Sequence, residues 1–135
     1  MGKDIADLGV LVVDDEGSVT RLLRMMLNDL GVAQVFTAAD GRVALNILGD
    51  FEDVIDVIIS DWNMPGVSGL NLLWEIRTVN PALPFFMLTG RGDVGSMKVA
   101  RDGGITGYML KPFSAEDLEA KLLTVAKRLD HRVGA

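Results

Sequence analysis

Val57-Ile58-Ile59-Ser60-Asp61 is a short apolar run that stops on a carboxylate. Three further runs end on groups able to handle phosphate. Val10-Leu11-Val12-Val13 stops on Asp14-Asp15, Phe85-Phe86-Met87-Leu88 on Thr89-Gly90, and Tyr108-Met109-Leu110 on Lys111-Pro112. Apolar runs of this length, separated by helix-like stretches, predict strands of a parallel sheet covered on both faces. In open sheets of that kind ligands bind outside the carboxyl ends of the strands. Three carboxylates, a hydroxyl and an ammonium are thereby expected at one rim.

The segments between the runs have helical periodicity. Val19, Leu22, Leu23, Met26, Leu27 and Leu30 follow the 3.6-residue period, with Ser18 as the expected cap and Gly31 as the stop. Val35-Phe36-Thr37 supplies a short second strand. Asp40 is placed to cap a helix carrying Val43, Ala44, Ile47 and Leu48, ending near Gly49. Met64-Pro65-Gly66 makes a turn, Ser68 opens a helix with Leu72, Leu73 and Ile76 on one face, and Asn80-Pro81 closes it. A weaker helix is expected over 94–101, diluted by Gly95 and ended by Gly103-Gly104. Ser114 caps a last helix with Leu118, Leu122, Val125 and Leu129 inward. A βα unit repeated five times predicts right-handed crossovers and a doubly wound α/β sheet with five helices.

The 135 residues make one domain, with its core at about 9–130 and no linker or internal repeat. Hydrophobic residues at 49% and charged residues at 24% describe a globular chain. A formal net charge of −6 argues against nucleic acid as a direct ligand, because phosphate backbones are bound by clustered Lys and Arg. There is no cysteine, hence no thiolate chemistry and no disulfide framework. The acidic N-terminus lacks a signal peptide, Ala6 stands where myristoylation expects Ser or Thr, and no run approaches the ~18 residues of a membrane span. The expectation is a cytoplasmic protein that does not engage a membrane, with a monomer as the simplest assembly.

Crowded carboxylates have a chemical consequence. Two like charges about 4 Å apart repel by roughly 4 kcal/mol at an effective dielectric near 20. Either one acid keeps its proton or a cation sits between them. Oxygen-only ligands at a partly open rim suit Mg²⁺, which takes one or two carboxylates and keeps several waters. A phosphoryl group would then be held by the cation, the Thr89 hydroxyl and the Lys111 ammonium. A carboxylate can itself be the nucleophile and form an acyl phosphate. Asp61 is the candidate, since it ends an apolar strand and precedes a constrained turn. Taken singly, Asp14-Asp15 would read as a helix cap, Thr89 as a strand end and Lys111 as a solvated charge. Their joint placement at strand ends overrules this.

Val12-Val13-Asp14-Asp15-Glu16, Asp61-Trp62-Asn63-Met64-Pro65-Gly66 with Gly69, Leu88-Thr89, and Tyr108-Met109-Leu110-Lys111-Pro112-Phe113 together resemble the receiver domain of two-component response regulators. The single-domain chemotaxis (CheY-like) subgroup is especially similar. The resemblance implies a flavodoxin-like sheet of strand order 2-1-3-4-5. It implies Asp61 as phosphoacceptor, Asp15 as a direct Mg²⁺ ligand, Asp14 acting mostly through a coordinated water, and Asn63 lending a backbone carbonyl. It also implies that Thr89 and Lys111 bind phosphoryl oxygens and that Lys111-Pro112 is cis. Thr89 and Tyr108 would form a switch that re-packs the face made by the 94–101 helix, the fifth strand and the last helix. Asn63 and Arg91 would modulate the phosphate lifetime; Arg91 stands where the subgroup often has an acid. The implied partners are a sensor histidine kinase or histidine phosphotransfer protein upstream and a protein target downstream.

Rival readings are a Mg²⁺-dependent aspartyl-phosphate phosphohydrolase, a phosphate sink or phosphorelay intermediate without motor output, and a flavodoxin-like cofactor binder. The hydrolase normally carries a second acid two residues after its nucleophile, where this chain has Asn63. The cofactor binder would not place Asp14-Asp15-Glu16 in its phosphate loop. Arg21, Arg24 and Met25 form an outward face of the first helix. Trp62 is placed over the rim, Trp74 on the third helix, and His131, the one histidine, in the C-terminal tail.

Overall fold

β-Branched and aromatic runs bounded by turn residues become strands because their side chains pack on a pleated surface. In the computed structural model, which describes residues 4–62, 68–90, 98 and 103–134, five such runs form one parallel sheet. These are β1 (Gly9–Val13), β2 (Gln34–Ala38), β3 (Val57–Asp61), β4 (Phe85–Thr89) and β5 (Gly107–Leu110). Their order is β2-β1-β3-β4-β5, as the resemblance implies. Among the described residues there are four α-helices: α1 (Gly17–Asp29), α2 (Gly41–Asp50), α3 (Gly69–Val79) and α4 (Ala115–Gly134). The helix expected over 94–101 lies outside the described residues apart from Lys98, which is helical.

Side-chain parity along each strand assigns the two layers. Val10, Val12, Val57, Ile59, Phe86 and Leu88 pack with Leu23 and Leu27 of α1 and Leu118, Leu122 and Val125 of α4. Their neighbours Leu11, Val13, Ile58, Phe85 and Met87 pack on the opposite face with Ala44 of α2 and Leu72, Leu73 and Ile76 of α3. The inner strands β1 and β3 are buried at every residue, whereas the edges β2 and β5 are not. A continuous apolar run is what a strand covered on both sides requires.

Most helix ends fall where the sequence places them. Asp40 accepts the Val43 N–H at 2.9 Å, Ser68 that of Asn71 at 3.2 Å and Ser114 that of Asp117 at 3.1 Å. Gly31 follows α1 with φ +91°, a conformation that favours glycine. Four expectations need correction. Ser18 does not cap α1: the cap residue is Glu16, because Asp14 Oδ1 accepts the Glu16 N–H at 2.9 Å and starts the turn earlier. Leu22 and Val43 are 46% and 40% exposed, so neither joins the core despite its place in the helical period. His131 is not in a free tail, for α4 continues to Gly134; its side chain lies outside the description.

Candidate functional site: an acidic rim bridged by a lysine

The rim is built by backbone hydrogen bonds that prolong the ladders one residue beyond the strands. Asp14 N–H donates to Ala38 O at 3.1 Å, Trp62 N–H to Leu88 O at 3.0 Å and Lys111 N–H to Thr89 O at 2.7 Å. Register places Asp61 beside Leu88 and Thr89 beside Leu110. The side chains of Asp14, Asp61 and Lys111, separated by 47 and 50 positions in sequence, are thereby held together. The Lys111-Pro112 bond is cis.

Lys111 Nζ lies 3.1 Å from Asp61 Oδ1 and 3.3 Å from Asp14 Oδ2. The Asp14 side chain has no solvent exposure, and that of Asp61 has 11%. One ammonium thus bridges two buried carboxylates, while Asp15 stays exposed beside them. One oxygen from each of Asp14, Asp15 and Asp61 lies within 4.8 Å of the others. Burial pushes the Asp61 pKa above its ordinary value; the Lys111 hydrogen bond opposes this and the Asp14 charge reinforces it. Burial alone would lower the Lys111 pKa, but its hydrogen bond and charge pairing with Asp61, together with Asp14, raise it. Among the described residues, three acids stand against one ammonium at the rim. An all-oxygen set of this size fits a hard divalent cation such as Mg²⁺.

Two supports of this rim act through packing and the backbone. Gly69 starts α3, and its N–H donates to Trp62 O at 3.0 Å. A Cβ there would stand 2.2 Å from the Asp61 carbonyl oxygen and 3.0 Å from Met87 Sδ. The absent side chain is therefore what lets α3 approach Asp61. The buried Ser60 hydroxyl donates to Asp61 O at 3.1 Å. A glycine eight residues after the candidate nucleophile was the visible signal for the first; nothing in the sequence marks the second.

Thr89 is half-buried at the end of β4, and Tyr108 is 37% exposed on the edge strand β5. Trp62 is half-buried beside Asp61, while Trp74 is 47% exposed on α3. Arg21, Arg24 and Met25 all face outward on α1. Asn63 and Arg91 lie outside the described residues, as does the Met64-Pro65-Gly66 turn.

A doubly wound parallel sheet with carboxylates, a hydroxyl and an ammonium at the carboxyl ends of its strands defines a flavodoxin-like α/β protein with a cation-compatible rim. Residues 10–123 match the response regulator receiver domain family, and the chain belongs to it. It is 37% identical over 127 residues to chemotaxis protein CheY-3 of Vibrio cholerae serotype O1, covering 91% of this chain and 95% of that protein. It is 34% identical over 125 residues to chemotaxis protein CheY of Pseudomonas aeruginosa, covering 90% and 98%. Among solved structures, a response regulator receiver domain protein from Clostridium thermocellum superposes with a TM-score of 0.86 at 30% identity, covering 95% of this chain and 99% of the other. Vibrio cholerae CheY4 superposes with a TM-score of 0.78 at 35% identity, covering 92% and 99%. Receiver domains are phosphorylation-dependent signalling switches, and they carry their Mg²⁺ at an acidic cluster of the kind formed by Asp14, Asp15 and Asp61. Among the described residues no helix is long and apolar enough to cross a membrane.

Proposed function

We propose that this chain is a chemotaxis-type cytoplasmic receiver, one unit with its core at about 9–130, that takes a phosphoryl group onto Asp61. The observation that carries the reading is the Lys111 ammonium bridging the buried Asp14 and Asp61 carboxylates, with Asp15 beside them. An upstream sensor histidine kinase or histidine phosphotransfer protein presents a phosphohistidine. Its N–P bond breaks as a bond forms from an Asp61 carboxylate oxygen to phosphorus. Asp15, Asp61 and the Asn63 carbonyl would hold Mg²⁺, with Asp14 acting through water; the ion supplies neutralisation of charge. The chain's own contribution is positioning and charge, the main levers in phosphoryl transfer. Lys111 exchanges its carboxylate partners for a phosphoryl oxygen, and Thr89 donates a hydrogen bond to another. Arg91 sets the lifetime of the phosphate.

Tyr108 is the second half of the switch. It lines a groove of about 410 Å³ with Lys121, Thr124 and Arg128 on the β5 edge. Movement of Thr89 toward the phosphoryl group would draw the ring inward and alter this face for a downstream protein target, with the chain acting as a monomer. A preference of a few kcal/mol for one arrangement suffices to shift such a population. The reading is tested by treating the protein with acetyl phosphate and Mg²⁺, locating the modified residue by mass spectrometry, and comparing Asp61→Asn. Acyl phosphate on Asp61 in the parent and none in the variant is expected. Undiminished modification of the variant overturns the assignment. Rapid steady-state turnover of phosphomonoesters would instead favour the phosphohydrolase.

A further inference from the structure

A second polar feature lies at the other end of the sheet. A groove of about 520 Å³, within the range of small-ligand sites, runs between the end of α3, the approach to β4 and the last turns of α4. Arg77 and Arg128 both line it, and no carboxylate among the described residues does, in a chain of net charge −6. Arg77 is half-buried. Its Nε donates to Gly104 O at 2.9 Å and its Nη1 to Asn80 O at 3.1 Å. These bonds fix the plane of the guanidinium and leave Nη2 without a hydrogen bond among the described residues. Neither arginine is paired with a carboxylate among the described residues.

Carbonyls satisfy hydrogen bonds but do not cancel a full charge. A partly buried cation without a counter-ion is unfavourable, and a second cation lining the same groove makes it more so. Burial accordingly pushes the Arg77 pKa below its ordinary value. A third donor is at hand: Thr106 Oγ1 accepts the Phe85 N–H at 2.9 Å, so its own proton remains available. We propose that this groove binds a small oxyanion, a phosphate or carboxylate group, held between Arg77 and Arg128 with the Thr106 hydroxyl as a further donor. The guanidinium fork suits both anion types. The site is distinct from the acidic rim, because the five residues of β4 separate the two ends by roughly 16 Å at ~3.3 Å per residue.

The test is an NMR titration of the isotope-labelled full chain with sodium phosphate and, separately, with sodium succinate, at ionic strength held constant with sodium chloride. Saturable shifts of the Gly104, Ile105 and Thr106 amides are expected. Phosphate at the acidic rim would instead move Thr89 and Lys111. Arg128 is an exposed helical residue, so Arg128→Gln should fold normally and weaken binding by about tenfold or more, through loss of a charge-assisted contact. Saturation by phosphate alone assigns a tetrahedral ligand, and saturation by succinate assigns a carboxylate. The proposal is overturned if neither anion gives a saturable response beyond the chloride control, or if the Arg128→Gln curve matches that of the parent.

Discussion

Replacing Gly69 with alanine probes the least obvious support of the phosphoacceptor. The added Cβ would meet the Asp61 carbonyl oxygen at 2.2 Å, where real contacts do not fall below 3.0 Å. The start of α3 and the end of β3 must therefore separate by about 0.8 Å, the difference of those distances. Both partners are buried, and the obstacle is backbone, so no rotamer change relieves it. Overpacking of this kind costs about 1–3 kcal/mol, offset by at most ~1 kcal/mol from the better helix propensity of alanine. A net loss near 2 kcal/mol corresponds to a fall of roughly 8 °C in Tm for a domain of this size. Displacing the nucleophile by close to 1 Å should also slow phosphoryl uptake by about a hundredfold. Gly49→Ala is the matched control, since a Cβ there meets nothing within 4 Å; it should stabilise by about 0.4–1 kcal/mol. Thermal unfolding by circular dichroism and acetyl-phosphate uptake followed by fluorescence read both effects. Equal Tm and equal uptake for Gly69→Ala and the parent would refute the close-approach argument.

Other consequences concern charge at the rim. Because burial raises the Asp61 pKa, the protonated carboxyl favours the folded state. That contribution is fully present below the ordinary value of 3.8 and is lost as pH rises through the folded value. Without divalent ions, Asp61→Asn should therefore raise Tm at neutral pH, with the gain shrinking in acid; a constant difference across the pH range contradicts this. Lys111→Met leaves the fully buried Asp14 without its cation and should cost about 3 kcal/mol at pH 7 in denaturant titrations. An unchanged midpoint would show that the bridge does not matter. Mg²⁺ at about a hundred times its dissociation constant should add ~2.7 kcal/mol of stability and quench Trp62 fluorescence. Asp15→Ala should abolish both effects. A quench that survives Trp62→Phe would remove Trp62 as the reporter.

The amino-acid sequence determined the alternation of strands and helices, because short apolar runs such as Val57–Asp61 recur between segments of helical period, and that alternation implies a parallel sheet covered on both faces. It also determined the identity of the rim residues, since Asp14, Asp15, Asp61, Thr89 and Lys111 stand at strand ends. Caps at Asp40, Ser68 and Ser114 were legible for the same reason: they act over three residues and need no tertiary partner. What depended on packing was not. The start of α1 moved to Gly17 because Asp14 turns back on Glu16, and the exposure of Leu22 and Val43 is set by how each helix docks on the sheet. The bridge from Lys111 to two carboxylates, the Asp61 carbonyl against Gly69, and the groove lined by both Arg77 and Arg128 arise between segments distant in sequence. Only the closed register of β1, β3, β4 and β5 brings such groups within a few ångströms, and no local pattern encodes that distance.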